Sequence, residues 1–197
     1  MNLLQHSLEK EGLWTIREAR RRGDFAKVKE SMPALVAADM LALGALADEI
    51  RAVDVGPEVR FCTNASAAEK AAYRGVYVAR GGKTGFEFLR EVAIARIIAE
   101  PGSCVRVDWD DAGFELSQVA LGFGANEIWG ALSTKRGLPI LDEEMKKVKG
   151  EGMVSVQALK RRELQKLLSY VGRSVVFVDG TGKLVAEESS KEESHAN

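Results

Sequence analysis

Only two cysteines and two histidines occur in 197 residues, and each scarcity removes a class of chemistry. Cys62 and Cys104 cannot supply a disulfide framework, so the cytoplasm is the default compartment. No serine or cysteine has a histidine at a suggestive spacing, which leaves a nucleophilic triad without support. His6 and His195 sit in the two termini and read as solvated groups. No apolar run approaches the roughly 20 residues of a membrane helix. The opening Met1-Asn2-Leu3-Leu4-Gln5-His6 lacks the basic-then-apolar pattern of a signal peptide. Charge of one sign is missing too: Lys+Arg 28 against Asp+Glu 29 leaves a net charge of −1. That balance argues against a polybasic binder of nucleic acid or of an acidic membrane. No internal repeat is present.

What remains is the composition of a globular protein, 46% hydrophobic and 29% charged, sufficient for one good core and a small appendage. The hydropathy pattern divides the chain into a helical arm at 1–32, an α/β core at 33–132, a loop–helix–strand arm at 133–185 and a disordered tail at 186–197. Gly23 and Asp24 end one helix and cap the next. After Pro33, Leu35, Val36, Met40, Leu41, Leu43, Leu46, Ile50 and Val53 form one apolar stripe at helical spacing, ended by Gly56-Pro57. Strand-like runs at 59–63, 75–79, 104–109 and 126–132 alternate with helices at 65–72, 84–99 and 114–123. Such alternation predicts a mainly parallel sheet with crossover helices. A helix at 159–171, a strand at 173–178 and a turn at 179–182 close the pattern. The basic runs 20–22 and 160–162 read as solvated helix faces.

Three places concentrate chemistry. Arg80-Gly81-Gly82-Lys83-Thr84-Gly85 lies between a strand and a helix, where glycines allow backbone N–H groups to converge on an anion. A Walker A loop also needs glycine at the position held by Tyr77, so triphosphate hydrolysis is excluded. The plainer reading is a turn with Thr84 as the helix cap. Asp108, Asp110, Asp111 and Glu115 surround Trp109 at the C-terminal end of a strand, the edge where parallel α/β folds bind ligands. Those acids either hold a divalent cation or share a proton, or they form a polar turn with Asp111 favoured by a helix N-terminus. Asn126 and Glu127, with Trp129 and Gly130, end a further strand and serve either a ligand or the packing of an indole.

Three blocks taken in order carry a family resemblance. Residues 39–58, DMLALGALADEIRAVDVGPE, resemble the helix before the barrel in the radical S-adenosylmethionine enzymes of menaquinone and deazaflavin biosynthesis. Residues 87–130, from EFLREVAIARIIAE to FGANEIWG, are similar to the last third of that barrel. Residues 160–179, KRRELQKLLSYVGRSVVFVD, resemble its closing helix and strand. Together the blocks cover about half the chain. The resemblance implies a truncated (β/α) barrel, an open sheet of three or four strands, and a place in the futalosine route to menaquinone.

The departures limit what can be carried over. These enzymes hold a four-iron cluster on a CxxxCxxC triplet, whose three thiolates leave one iron for S-adenosylmethionine. The stretch 73–79 resembles their cysteine strand with Gly75 and Val78 at ligand positions, or else it corresponds to a later strand and the cysteine region is deleted. Neither residue can bind iron. The family has two acids followed by Asp-Gly near 126–130, so Asn126 and Trp129 are substitutions that weaken any transfer of substrate contacts. The expectation is therefore a protein without cluster, cofactor or metal, acting as an accessory or regulatory binding protein. Open sheet edges ask for a protein partner or a second copy. The competing expectations are a cluster-independent enzyme or binder of a small anionic metabolite, working through the acidic cluster and the 81–85 loop, and an adaptor that docks through its basic helices.

Overall fold

The computed structural model describes residues 3–62, 65–130 and 161–185. The 133–160 loop, the tail from 186, His195 and Lys160 lie outside the described residues. Five N-terminal helices come first: α1 (Leu3–Lys10), α2 (Trp14–Arg21), α3 (Phe25–Glu30), α4 (Met32–Ala37) and α5 (Met40–Val55). Then follow β1 (Glu58–Cys62), α6 (Ala67–Ala72), β2 (Val76–Tyr77), α7 (Gly85–Ile98), β3 (Val105–Asp108), α8 (Trp109–Ala112), α9 (Phe114–Leu121) and β4 (Glu127–Trp129). The last described elements are α10 (Arg161–Ser169) and β5 (Ser174–Val178). Among the described residues no helix is long and apolar enough to cross a membrane.

The expected single stripe behind Pro33 is broken into two helices. Ala38 is extended (φ −63°, ψ 155°), and the Asp39 carboxylate accepts from the N–H groups of Leu41 at 2.9 Å and Ala42 at 3.1 Å. A capping aspartate inside an apolar run restarts the helix without interrupting its hydrophobic spacing. The same periodicity conceals the break between α1 and α2, where Gly12 adopts φ +71°. Leu8, Leu13, Ile16, Val28, Leu35, Leu43 and Leu46 from these helices form one buried cluster with Ala93, Ile94 and Ile97 of α7. The opposite side of α7, with Phe88, Leu89, Val92 and Ala95, packs on the sheet. α7 is thus apolar nearly all round because it is the middle layer of three. Phe88, Val92 and Ile97 are fully buried, and each such side chain contributes roughly 1.5–3 kcal/mol.

Among the described residues one sheet holds all five strands, in the order β2-β3-β4-β1-β5, and every pairing between them is parallel. The fold class is therefore α/β with a small parallel sheet, one strand wider than the sequence count. The additional strand is β5, which runs beside all five residues of β1 while Val175 and Phe177 enter the core with Leu164 and Leu168 of α10. Both sheet edges are short or covered. β2 has two residues, and the outer side of β5 is bridged at Val178–Leu184, with Val185 N donating to Phe177 O at 2.8 Å.

Two helices begin with reciprocal capping boxes, Ser66 with Glu69 on α6 and Thr84 with Glu87 on α7. Hydrogen bonds from Ser66 hold the Glu69 carboxyl below its ordinary range; backbone and hydroxyl bonds from Thr84 do the same for Glu87. A carboxyl whose folded pKa is depressed contributes stability that is present above its unfolded value and lost as pH falls through the folded one. Asp108, raised by burial, has the opposite sign and softens the slope. The urea midpoint should therefore fall below about pH 4.5, and Glu69→Gln with Glu87→Gln should flatten that fall. Equal slopes in wild type and double variant would remove the capping carboxylates as its cause.

Candidate functional site

Alternation along the strands divides the sheet into two unlike faces. Val59, Phe61, Val105, Val107 and Ile128 point toward α7, α9 and α10. The other face carries charge in register: Arg106 lies opposite Glu127, and Glu127 opposite Arg60. In the next row Asp108 lies opposite Trp129, and Trp129 opposite Cys62. Parallel strands are usually apolar on both faces, so an Arg–Glu–Arg row departs from a plain core.

Glu127 is the hub of this face. Its Oε1 accepts from the Trp129 indole N–H at 2.6 Å and its Oε2 from Arg60 Nε at 3.2 Å. Arg60 Nη2 also donates to Gly182 O at 2.6 Å, which folds the 179–182 turn back over the sheet. Arg106, only 3% exposed, has its guanidinium carbon 4.1–4.3 Å from the rings of Tyr73, Tyr77 and Trp129. Its Nε lies 3.1 Å from Asp108 Oδ1, an ion pair without hydrogen-bond alignment. Lys70 Nζ lies 3.9 Å from both Asp108 and Asp110. Burial pushes the Asp108 carboxyl up, against the pull of Arg106 and Lys70. Burial likewise raises the Tyr73 phenol, reinforced by the charge of Glu127, and lifts the Cys104 thiol to about 11.

A cavity of about 480 Å³ opens on this face, lined by Arg60, Tyr73, Arg74, Cys104, Glu127 and Trp129 together with the 180–182 turn. A larger groove of about 590 Å³ lies between α2 and α5. There Arg17 is tied to Glu49, while Arg20 bonds Asp54 at 2.7 Å and Ala99 O at 2.8 Å, leaving little uncommitted charge. Arg20 is buried, so the 20–22 run is not simply a solvated face: an acid 34 positions away draws one of its members inward.

The two loops singled out in the sequence meet at the C-terminal rim of the sheet. Asp111 accepts from Arg80 N at 2.6 Å and Gly81 N at 3.2 Å, so a carboxylate of the chain itself takes the N–H groups offered to an anion. Lys83 Nζ donates to Ala79 O at 3.0 Å and to Glu91 at 2.6 Å, Thr84 caps α7, and Gly82 is exposed. Glu115 is exposed in the first turn of α9. Among the described residues no three His, Cys, Asp or Glu side chains are grouped to hold a metal ion. Asn126 turns away from Glu127 and accepts from Arg96 Nη2 at 2.6 Å and Val105 N at 2.8 Å.

Sequence reading missed Arg60, Tyr73, Arg74, Cys104 and Arg106. The available signal was period-two polarity, Arg60/Cys62, Arg106/Asp108 and Glu127/Trp129, in strands expected to be apolar on both sides. Cys62 and Cys104 share this face, form no disulfide, and lie two strands and four registers apart, which strand spacing converts to about 16 Å.

No family model matches the chain. A curated relative, 5-amino-6-(D-ribitylamino)uracil–L-tyrosine 4-hydroxyphenyl transferase of Methanosphaerula palustris, is 30% identical over 96 residues. Those residues are 49% of this chain and 24% of the relative, so the chain spans about a quarter of the length of the protein it matches. The similarity is a distant link to the radical S-adenosylmethionine superfamily.

Proposed function

We propose that this chain is a cluster-free binding protein built from strand–helix units of the radical S-adenosylmethionine type. The observation that carries this reading is the placement of the thiols. A four-iron cluster needs three thiolates around one point, whereas this chain has two cysteines about 16 Å apart. The residues present do not fit the cluster, and no radical step is assigned to them.

Strand order supports the same reading. β4 pairs with β1, as the last strand of a closed barrel pairs with the first, and β2 lies beside β3, three places from β1. That position suits a late barrel strand, so 73–79 corresponds to one and the cysteine-bearing segment is the part that is missing. The polar sheet face takes the place of the barrel lumen and keeps a cavity.

By resemblance the protein serves the menaquinone route as an accessory or regulatory component that acts by binding. A pocket has better support than a sheet edge as the means, because short or covered edges present few free backbone groups. Anaerobic reconstitution with iron and sulfide, followed by reduction and addition of S-adenosylmethionine, tests the proposal. The expected result is colourless protein and no 5′-deoxyadenosine. A brown, iron-loaded preparation that cleaves S-adenosylmethionine reductively would overturn it.

A further inference from the structure

We infer that the cavity on the polar sheet face is an anion site, taking a small organic molecule that bears a carboxylate or a phosphate. The inference rests on the binding-protein reading and specifies the ligand. It follows from a comparison of the polar groups lining the cavity that are already committed with those that are not.

Three of the four oxygens of the two lining carboxylates are committed. Glu127 accepts from Arg60 and from the Trp129 indole on its two oxygens, and Glu69 accepts from the Ser66 N–H at 2.8 Å and hydroxyl at 2.7 Å through Oε2, which leaves Oε1. The other uncommitted groups are donors. Arg74 is exposed at the cavity and makes no ion pair or hydrogen bond among the described residues. Arg60 spends Nε and Nη2 and retains Nη1. The Ser103 hydroxyl makes no hydrogen bond among the described residues.

A ligand that supplied donors would find one lining carboxylate oxygen, Glu69 Oε1, whereas one that supplies oxygen acceptors satisfies the donors of Arg74, Arg60 and Ser103 at once. Arg74 gives the charge-assisted contact, which favours an anion over a neutral amide of the same shape. At about 480 Å³ the space exceeds what an inorganic ion needs and falls within the range for small-molecule sites. The Gly81–Gly82 loop is a weaker anion site, because Asp111 already accepts from it.

The test uses the full chain with three probes: benzoate, phenyl phosphate and the neutral benzamide. Binding is read by titration calorimetry at fixed ionic strength. One or both anions should bind at least about tenfold more tightly than benzamide, and the tighter of the two identifies the anionic group. Arg74→Ala should weaken that anion about tenfold without moving the urea midpoint, since Arg74 supports no contact in the fold, and Arg74→Lys should restore part of the loss. Ser103→Ala gives an independent, smaller loss. Equal affinity for benzamide, unchanged affinity in Arg74→Ala, or no binding of either anion overturns the assignment. If the anions fail while the protein stays colourless without radical activity, the ligand class falls and the cluster-free reading stands. If iron loads, that reading falls first.

Discussion

Replacing Arg96 with methionine is expected to lower the unfolding free energy by about 3–5 kcal/mol, or about 10 °C in Tm for a chain of this size. Arg96 is 0% exposed and lies inside α7, the middle layer of the molecule. Its Nε donates to Gly124 O at 2.8 Å, Nη1 to Ser103 O at 2.9 Å and Nη2 to Asn126 Oδ1 at 2.6 Å. One guanidinium thereby fixes the turn after α9 and the approaches to β3 and β4. Burial pulls its pKa down to about 10 even with Asp54 only 4.0 Å away, a measure of how dry the site is. Methionine approximates the aliphatic stem but leaves the Gly124 and Ser103 carbonyls unpaired, each costing about 1–3 kcal/mol, and reduces Asn126 Oδ1 to its bond from Val105 N. Gly124 cannot adapt in compensation. Its φ of +97° suits only glycine, and a Cβ there would lie 2.7 Å from the Cβ of Arg96. Chemical denaturation of wild type and variant checks the magnitude, and a loss below about 1 kcal/mol would mean that water replaces the guanidinium.

Glu127→Ala should produce the second large effect, about 3 kcal/mol, because it leaves the buried Trp129 indole N–H unpaired and removes the carboxylate beside the half-buried Arg60, whose remaining bond is to Gly182 O. Glu127→Gln keeps an acceptor oxygen while turning an amide NH2 toward a second donor, so an intermediate loss of about 1–3 kcal/mol is expected. The pair also separates two roles for this residue. A side chain present mainly to meet a ligand would lose affinity on substitution with little change in stability. Glu127 as a structural hub loses stability first, read as a lower urea midpoint in the absence of any ligand. An unchanged midpoint in Glu127→Ala would return it to the ligand-contact role raised by its position at a strand end.

The parts of the fold legible in the sequence are those fixed by neighbours within a few positions. α7 follows from Thr84, Glu87 and a dense apolar run, α3 from Asp24, and the end of α5 from Gly56-Pro57. The α4–α5 break escaped because Asp39 sits inside an uninterrupted hydrophobic period. The candidate site was less legible. Asp108, Asp110 and Asp111 stand within four positions of one another, yet Arg106 and Lys70 hold the first, Lys70 alone reaches the second, and Arg80 with Gly81 holds the third. Proximity in sequence suggested one cluster, where the fold shares Lys70 between Asp108 and Asp110 and turns Asp111 to the 80–81 backbone.

The order of these residues was enough to dictate an α/β protein, its helix caps, its strand periodicity and its shortage of thiols, since each depends on local sterics or on composition. Which strand lies beside which is another matter. Arg60 and Glu127 are 67 positions apart, and only the pairing of β1 with β4 brings them into one row. Arg74 reaches the cavity only because β2 lies at the far edge beside β3, and β5 joins the sheet only because Val175 and Phe177 find the core against α10. Register and strand order are set by the burial of whole faces at once, a cooperative balance that no short stretch of chain encodes.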